Sequence, residues 1–524
     1  MLLRAGASPS VGWAAKAFVP APSFDVVNIT FLNVSIPKNV INETLQVLNR
    51  TREGPVTISN APEVPMWLQH ALLAIYFALL ALAILLMMHY IYYARHARPA
   101  SGDPPDPPSD VPLSIIIPVK NEATETVVNA VRRLAQLRCP NAEVVVVSDD
   151  PPEKAAELEK ALAGLPARVL RRPNPTGYKG AALNWAVEHA RGEILLFLDV
   201  DSVPPPDLCA RARAVGEREI AFLGWDGYAA VKTPIAALQL FLYKYLLYYV
   251  AILGRYNTGH PVFALGSGIA VRKRFLREVG GFCNCTADDY DISMKAYLSG
   301  GRVVYLPGPP VYVEVPAGYG AFKRQYARWT YNSAYLLAQY ARQILKLKMP
   351  LAHRLSVFLN VATHPLMILT TFATMVATVA MSYMGILLPP FHILAMQGGL
   401  LALALAQTFY VYKLAKPDGH GFAEVASMLA KSAALLLALS PYLTFYVLLG
   451  LLRRRIRWYV TPKGLAVLKS GALGPYEVAT TSALAALLAL SFYTANWLFI
   501  TNAATLLLVF LYVYLRVAAA AKPS

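Results

Sequence analysis

The strongest constraint on this chain is the bunching of its apolar residues. The run from Trp67 to Tyr93 has no charged side chain between Ala71 and Met88, and further apolar runs follow at 355–383, 390–414, 430–452, 475–494 and 498–516. A helix of about 20 apolar residues is long enough to cross a bilayer. The whole chain is 56% hydrophobic and only 15% charged, where soluble domains carry about a quarter charged residues. An integral membrane protein with one soluble domain is expected.

The net charge of +17 does not point to nucleic acid, because no recognition motif accompanies it. Much of it flanks the apolar runs, at Arg95, Arg98, Lys346, Lys348, Arg354, Lys413, Lys416 and Arg453 to Arg457. Cytoplasmic membrane flanks collect Lys and Arg in this way. That rule puts residues 1–66 outside and a first span at 67–93, followed by a Pro-rich linker, 94–110. Residues 1–20 are too weakly apolar for a signal peptide. Four N-x-S/T sequons, at Asn28, Asn33, Asn42 and Asn49, fit an external, glycosylated segment, or else an Asn- and Thr-rich β segment. Lys244 and abundant Tyr make 235–253 an interfacial helix, since a span there would put the polar clusters on opposite sides of the membrane. The positive-inside rule makes 430–452, broken at Ser440-Pro441, a re-entrant or interfacial one. Five spans result, in the plasma membrane, with the amino terminus outside and the carboxyl terminus inside.

Between the linker and about 335, short apolar runs alternate with helical periodicity. Leu113–Pro118, Glu143–Val147 and Glu193–Leu198 read as buried strands. This alternation indicates a parallel sheet with helices on both faces, which binds ligands at the carboxyl ends of its strands. The four cysteines, Cys139, Cys209, Cys283 and Cys285, lack zinc spacing. In a cytosolic domain they are expected to be reduced thiols.

The polar clusters fall where such strands end. Asp199-Val200-Asp201 closes the third strand, and two carboxylates spaced by one residue can hold Mg²⁺ or Mn²⁺. Asp149 and Asp150 end the second strand and suit a turn, a cap or the hydrogen-bonding edge of a nucleobase. Lys179 opens a helix, where its charge and the helix amino terminus both favour phosphate. Gly266-Ser267-Gly268 permits close backbone approach to a ligand. In Thr286-Ala-Asp288-Asp289-Tyr-Asp291, one carboxylate could act as a general base. Gln325, Arg328 and Trp329 share a helix face by their spacing. Arg suits phosphate and Trp suits a sugar ring.

Taken in order, Asp149 or Asp150, D-x-D, the acidic triplet and Q-x-x-R-W resemble the processive family 2 glycosyltransferases: cellulose, chitin and hyaluronan synthases. The resemblance spans about 111–335 and continues to about 465, where Trp458-Tyr-Val460-Thr461-Pro-Lys463 looks like their gating-loop motif, placed here in 453–465. It implies a GT-A fold, a Rossmann-like mixed sheet, in 111–335, and a helical channel domain in 336–524. It also implies an inverting hexosyltransferase whose donor is a UDP-sugar. Asp149 or Asp150 would bind uridine. Lys179 would sit by the nucleotide, Asp199 by the diphosphate and Asp201 on the divalent metal. Asp289 would be the catalytic base, with Asp288 beside it in place of the usual Glu. Ser267, Gln325, Arg328, Trp329, Thr461 and Lys463 would complete the substrate site. The acceptor would be a growing polysaccharide, or alternatively a membrane lipid. A non-enzymatic transporter or surface protein would leave the ordered acidic clusters unexplained.

Overall fold

The structure is a computed structural model. It describes residues 62–99, 110–137, 139–388, 390–456 and 474–518, with the strands β1 (Val26–Ile29) and β2 (Val34–Pro37). The chain divides into two units, Met1–Ala61 and Pro62–Ser524. In the first, β1 and β2 pair antiparallel, Asn28 opposite Ser35. In the second, helix α1 (Met66–His96) precedes an α/β domain.

The α/β domain contains strands β3 (Leu113–Val119), β4 (Ala142–Ser148), β5 (Ala167–Arg171), β6 (Ile194–Phe197), β7 (Glu219–Phe222), β8 (Trp225–Tyr228), β9 (Ile269–Arg272), β10 (Arg302–Tyr305) and β11 (Val311–Glu314). Seven of them form one sheet, in the order β10-β7-β9-β6-β3-β4-β5, while β8 and β11 pair separately. Within the large sheet β9 alone runs antiparallel to its neighbours. The sheet is therefore mixed, as the GT-A expectation requires, rather than wholly parallel. The lone reversed strand follows directly on Gly266-Ser267-Gly268. Gly268 has φ +78° and the side chain of Val311 against it, a conformation and a space that only glycine accepts without strain.

Side-chain alternation supplies the two cores. Ile115 and Ile117 of β3 join Val144, Val146 and Leu196 on one face, and Ile116 joins Val145, Val147, Leu195 and Phe197 on the other. Each such buried side chain stabilises by about 1.5–3 kcal/mol. Helices α2 (Thr124–Ala135), α3 (Pro152–Ala161), α4 (Lys179–His189) and α5 (Leu208–Arg213) connect the early strands. The connections then run through α6 (Pro234–Asn257), α7 (Lys273–Glu278) and α8 (Asp288–Leu298). The amphipathic α9 (Tyr319–Ile344) leads to α10 (Leu351–Tyr383), α11 (Pro390–Ala415), α12 (Phe422–Leu451), α13 (Pro475–Tyr493) and α14 (Trp497–Tyr512).

Among the described residues, seven helices are long and apolar enough to cross a bilayer, two more than the five expected. The additional two are α6 and α12. The apolar window of α6 is 56% buried within the protein. There Tyr243 packs on Trp225, and the Tyr248 hydroxyl lies 2.8 Å from that of Tyr305. Helix α12 runs unbroken through Ser440-Pro441, against the expected break. Both of its ends meet residues joined to the α/β domain. Asp418, just before it, pairs with Lys244 of α6 at 3.0 Å, and Tyr178 donates to the carbonyl of Ile456, just after it, at 2.9 Å. At the far ends of α10 and α14, Asn496 donates to the carbonyls of Ser382 and Tyr383.

The cysteine expectation is corrected. Cys139 is joined to Cys209, and Cys283 to Cys285, with Cα separations of 5.6 and 5.2 Å. Spacing could not show the first pair, because 70 residues separate its members. Helices α2 and α5 pack on the same face of the sheet, which brings the two sulfurs together.

Candidate active site

The carboxyl ends of β3, β4 and β6 open into one cavity of about 430 Å³. Asp149, Lys179, Asp199, Asp201, Asp288, Asp289, Gln325, Arg328 and Trp329 all line it. These residues come from five places in the sequence. Parallel strands deliver their following residues to one edge, and α4, α8 and α9 start or pass there.

Lys179 is the hub of the polar wall. Its ammonium lies 2.7 Å from Asp199 Oδ1, 3.0 Å from the carbonyl of Gly266 and 4.0 Å from Asp288 Oδ2. Burial lowers its pKa, but Asp199, Asp288 and Asp289 outweigh burial and raise it. Asp289 is fixed by two backbone donors, Gly266 N–H on Oδ2 and Tyr290 N–H on Oδ1, each at 2.8 Å. Burial raises its pKa in spite of these donors and of Lys179. Burial also pushes Asp288 up to about 6, opposed by Lys179 and aided by Asp289 and Asp199. A Cβ placed on Gly266 would stand 3.7 Å from both Asp199 Oδ2 and Asp289 Oδ2, so this backbone runs between the two carboxylates.

Asp149 and Asp150 have different surroundings. Arg172 grips both oxygens of Asp149, from Nε at 2.7 Å and Nη2 at 2.6 Å, and its Nη1 donates to the carbonyl of Thr176. The two side chains are each 7% exposed. Asp150 is buried and accepts from the backbone N–H of Asn121 at 2.6 Å, which ties the ends of β3 and β4 together. It is not on the cavity wall. Ser267 also lies behind the wall. It is fully buried, its Oγ accepts from Asp199 N–H at 3.1 Å and it meets Ser202 Oγ at 2.6 Å. Asp201 Oδ2 accepts from Glu314 N–H at 3.3 Å. Thr461 and Lys463 lie outside the described residues.

Part of the lining is aromatic. Trp225 and Tyr243 have ring centroids 4.6 Å apart, and Tyr243 and Trp329 5.7 Å. Tyr243 donates to Gln325 Oε1 at 3.1 Å. Sequence reasoning missed Arg172, Trp225, Tyr243 and His364. Arg172 meets Asp149 only through the pairing of β4 with β5. His364 did carry a signal, as an ionisable residue inside an apolar run.

No group of three or more His, Cys, Asp or Glu side chains able to hold a metal ion occurs among the described residues. Asp199 and Asp201 offer hard oxygen donors, so a bound cation would take further oxygens from a ligand or from water.

Comparisons with known proteins agree with this chemistry. Residues 194–411, from β6 into α11, match the family model described as glycosyl transferase family group 2. A probable glycosyltransferase of Sulfolobus acidocaldarius is 26% identical over 366 residues, 68% of this chain and 78% of that protein. Glucomannan 4-beta-mannosyltransferase 7 of Arabidopsis thaliana is 26% identical over 250 residues, which is 44% of each protein. Among solved structures, a mannosyltransferase from Pyrobaculum calidifontis in complex with GDP-Man and Mn²⁺ is similar over 73% of this chain and 100% of that one. Its sequence identity is 21% and the TM-score 0.49. The part of this chain from 194 to 411 is thus similar to family 2 glycosyltransferases, and the chain is an enzyme that transfers a sugar.

Proposed function

We propose that the protein is a membrane-embedded, inverting glycosyltransferase that uses a UDP-sugar to elongate and translocate a polysaccharide, with its catalytic domain on the cytoplasmic side of the plasma membrane. The observation that carries this reading is the single cavity, whose polar wall suits a nucleotide-sugar and whose aromatic wall reaches membrane helix α10 through His364. Asp289, held by two backbone donors, takes the proton of the attacking acceptor hydroxyl. The new bond forms at the anomeric carbon as the bond to the diphosphate breaks, and the leaving group departs with the electron pair. Lys179 and Arg328 are placed to stabilise the charge that develops on it. Asp199 and Asp201 would hold Mg²⁺ or Mn²⁺, which supplies Lewis-acid stabilisation of the diphosphate.

The Asp149–Arg172 pair supports uridine. A bidentate guanidinium occupies one lone pair on each carboxylate oxygen, on the side where both oxygens converge. What remains on Asp149 diverges. It can accept the single imide N–H of uracil, but it cannot meet the two adjacent N–H donors of guanine together. A lipid-linked acceptor is the second reading, favoured by the same opening towards α10.

The test is nucleoside diphosphate release by the protein in nanodiscs, with a panel of nucleotide-sugars, Mg²⁺ or Mn²⁺, and an Asp289→Asn control. Release that depends on Asp289 with a UDP-sugar, and a high-molecular-weight product, is expected. A one-sugar lipid product would replace the processive reading. Full activity with excess chelator would remove the metal assignment.

A further inference from the structure

The donor chemistry accounts for the carboxylates and the bases of the cavity, but not for an imidazole that reaches it from a membrane helix. His364 lies inside α10 and lines the same cavity as Asp289 and Trp329. Its ring packs against Tyr326, with centroids 5.0 Å apart. Its Nε2 is shielded from solvent and has no hydrogen-bond partner among the described residues. A buried polar atom left unmade destabilises the fold, and an aromatic or Leu side chain would fill the site without that penalty. Pro365 follows at once. It provides no N–H to the carbonyl one turn back, so α10 is locally weakened at this depth. Tyr326 in turn meets Trp329, with centroids 6.5 Å apart, and Trp329, Tyr243 and Trp225 continue the run of adjoining rings along the same cavity.

We propose that His364 determines acceptor specificity, by hydrogen bonding a hydroxyl of an acceptor sugar whose apolar face lies on the rings of Trp225, Tyr243 and Trp329. A neutral imidazole has one donor and one acceptor nitrogen, which matches a hydroxyl, itself both donor and acceptor. A phosphate accepts only and would match a cation or a pair of N–H groups. The ligand class is thus a glycosyl unit rather than the phosphate of a lipid carrier. Aromatic faces pack against the C–H faces of such rings. His364 is a specificity residue and takes no part in the proton transfer, which belongs to Asp289. This inference rests on the transferase reading above.

The experiment uses the full chain in nanodiscs, the donor found in the panel, and mannotetraose and cellotetraose as acceptor probes. His364→Ala should raise the KM for the preferred oligosaccharide about tenfold, which is about 1.4 kcal/mol of acceptor binding, with a smaller change in kcat. His364→Gln or His364→Asn should restore part of the loss. These two variants also carry the test if the alanine variant fails to fold. A merely structural role would lower yield or thermal stability without separating acceptor KM from donor KM. Wild-type turnover with unchanged acceptor KM in all three variants overturns this inference alone. No wild-type turnover with any donor overturns the transferase reading and this inference with it.

Discussion

On the polar side of the cavity, Asp149, Asp199 and Asp289 are each held by a named partner: Arg172, Lys179 and the backbone N–H of Gly266. On the aromatic side, Trp225, Tyr243 and Trp329 lean on one another, and one imidazole nitrogen has no partner among the described residues. Charge that must act on a diphosphate has to be oriented beforehand, because turning it during the reaction costs energy. A platform for neutral sugar rings needs only shape and a few hydrogen bonds. The first wall should therefore govern rate and donor binding, and the second acceptor binding.

The largest effect should come from Asp289→Asn, which is expected to lower kcat about 10³-fold with donor KM little changed. Single-turnover kinetics would check it, and a kcat within threefold of wild type would remove Asp289 from the role of base. Next is Arg172→Ala. It leaves the Asp149 carboxylate buried without its partner, so about 3–5 kcal/mol of stability should be lost, read by thermal unfolding. Weaker discrimination of UDP from GDP is also expected, read by competition binding. Equal preference for both nucleotides in the wild type would break the argument from Asp149.

On the aromatic wall, Trp225→Ala should raise acceptor KM about tenfold and change donor KM less. The reverse pattern would erase the contrast between the walls. The smallest effect concerns pH. Asp289 must be ionised to act, and its pKa lies above the ordinary Asp value, so the rate should fall as pH drops through that raised value. Lys179 opposes the rise, and Lys179→Met should move the acidic limb of kcat to higher pH. For Asp288, raised from 3.8 to about 6, the folded state binds the proton more tightly than the unfolded chain. Its contribution to stability is full below pH 3.8 and is lost as pH rises through about 6. A melting-temperature profile against pH reads this directly.

The sequence and the structure meet most closely in the α/β domain. The three strands read from apolar runs appear as β3, β4 and β6, and the predicted helix face carrying Gln325, Arg328 and Trp329 lines the cavity. Local pattern sufficed there, because a strand followed by an acid reports its own position at a strand end. It did not suffice for β7 to β11, which are as short as β6 but are not closed by a pair of acids like Asp199 and Asp201. Nor could it show that Asp149 lines the cavity while Asp150 braces β3 against β4, since the two are neighbours with the same side chain. The first differs from the second because β5 brings Arg172 to it.

The sequence by itself determined the class of the protein: a membrane chain with an α/β domain, and acids placed at its strand ends. Apolar run length and local spacing are properties of neighbouring residues, and these conclusions follow from them. Only the tertiary structure decided which side chains share a cavity. It joined Cys139 to Cys209, set Arg172 on Asp149, and brought His364 within the walls that hold Asp289. Such contacts arise when crossover connections and packed helices bring together residues tens to hundreds of positions apart, and no local pattern records that distance.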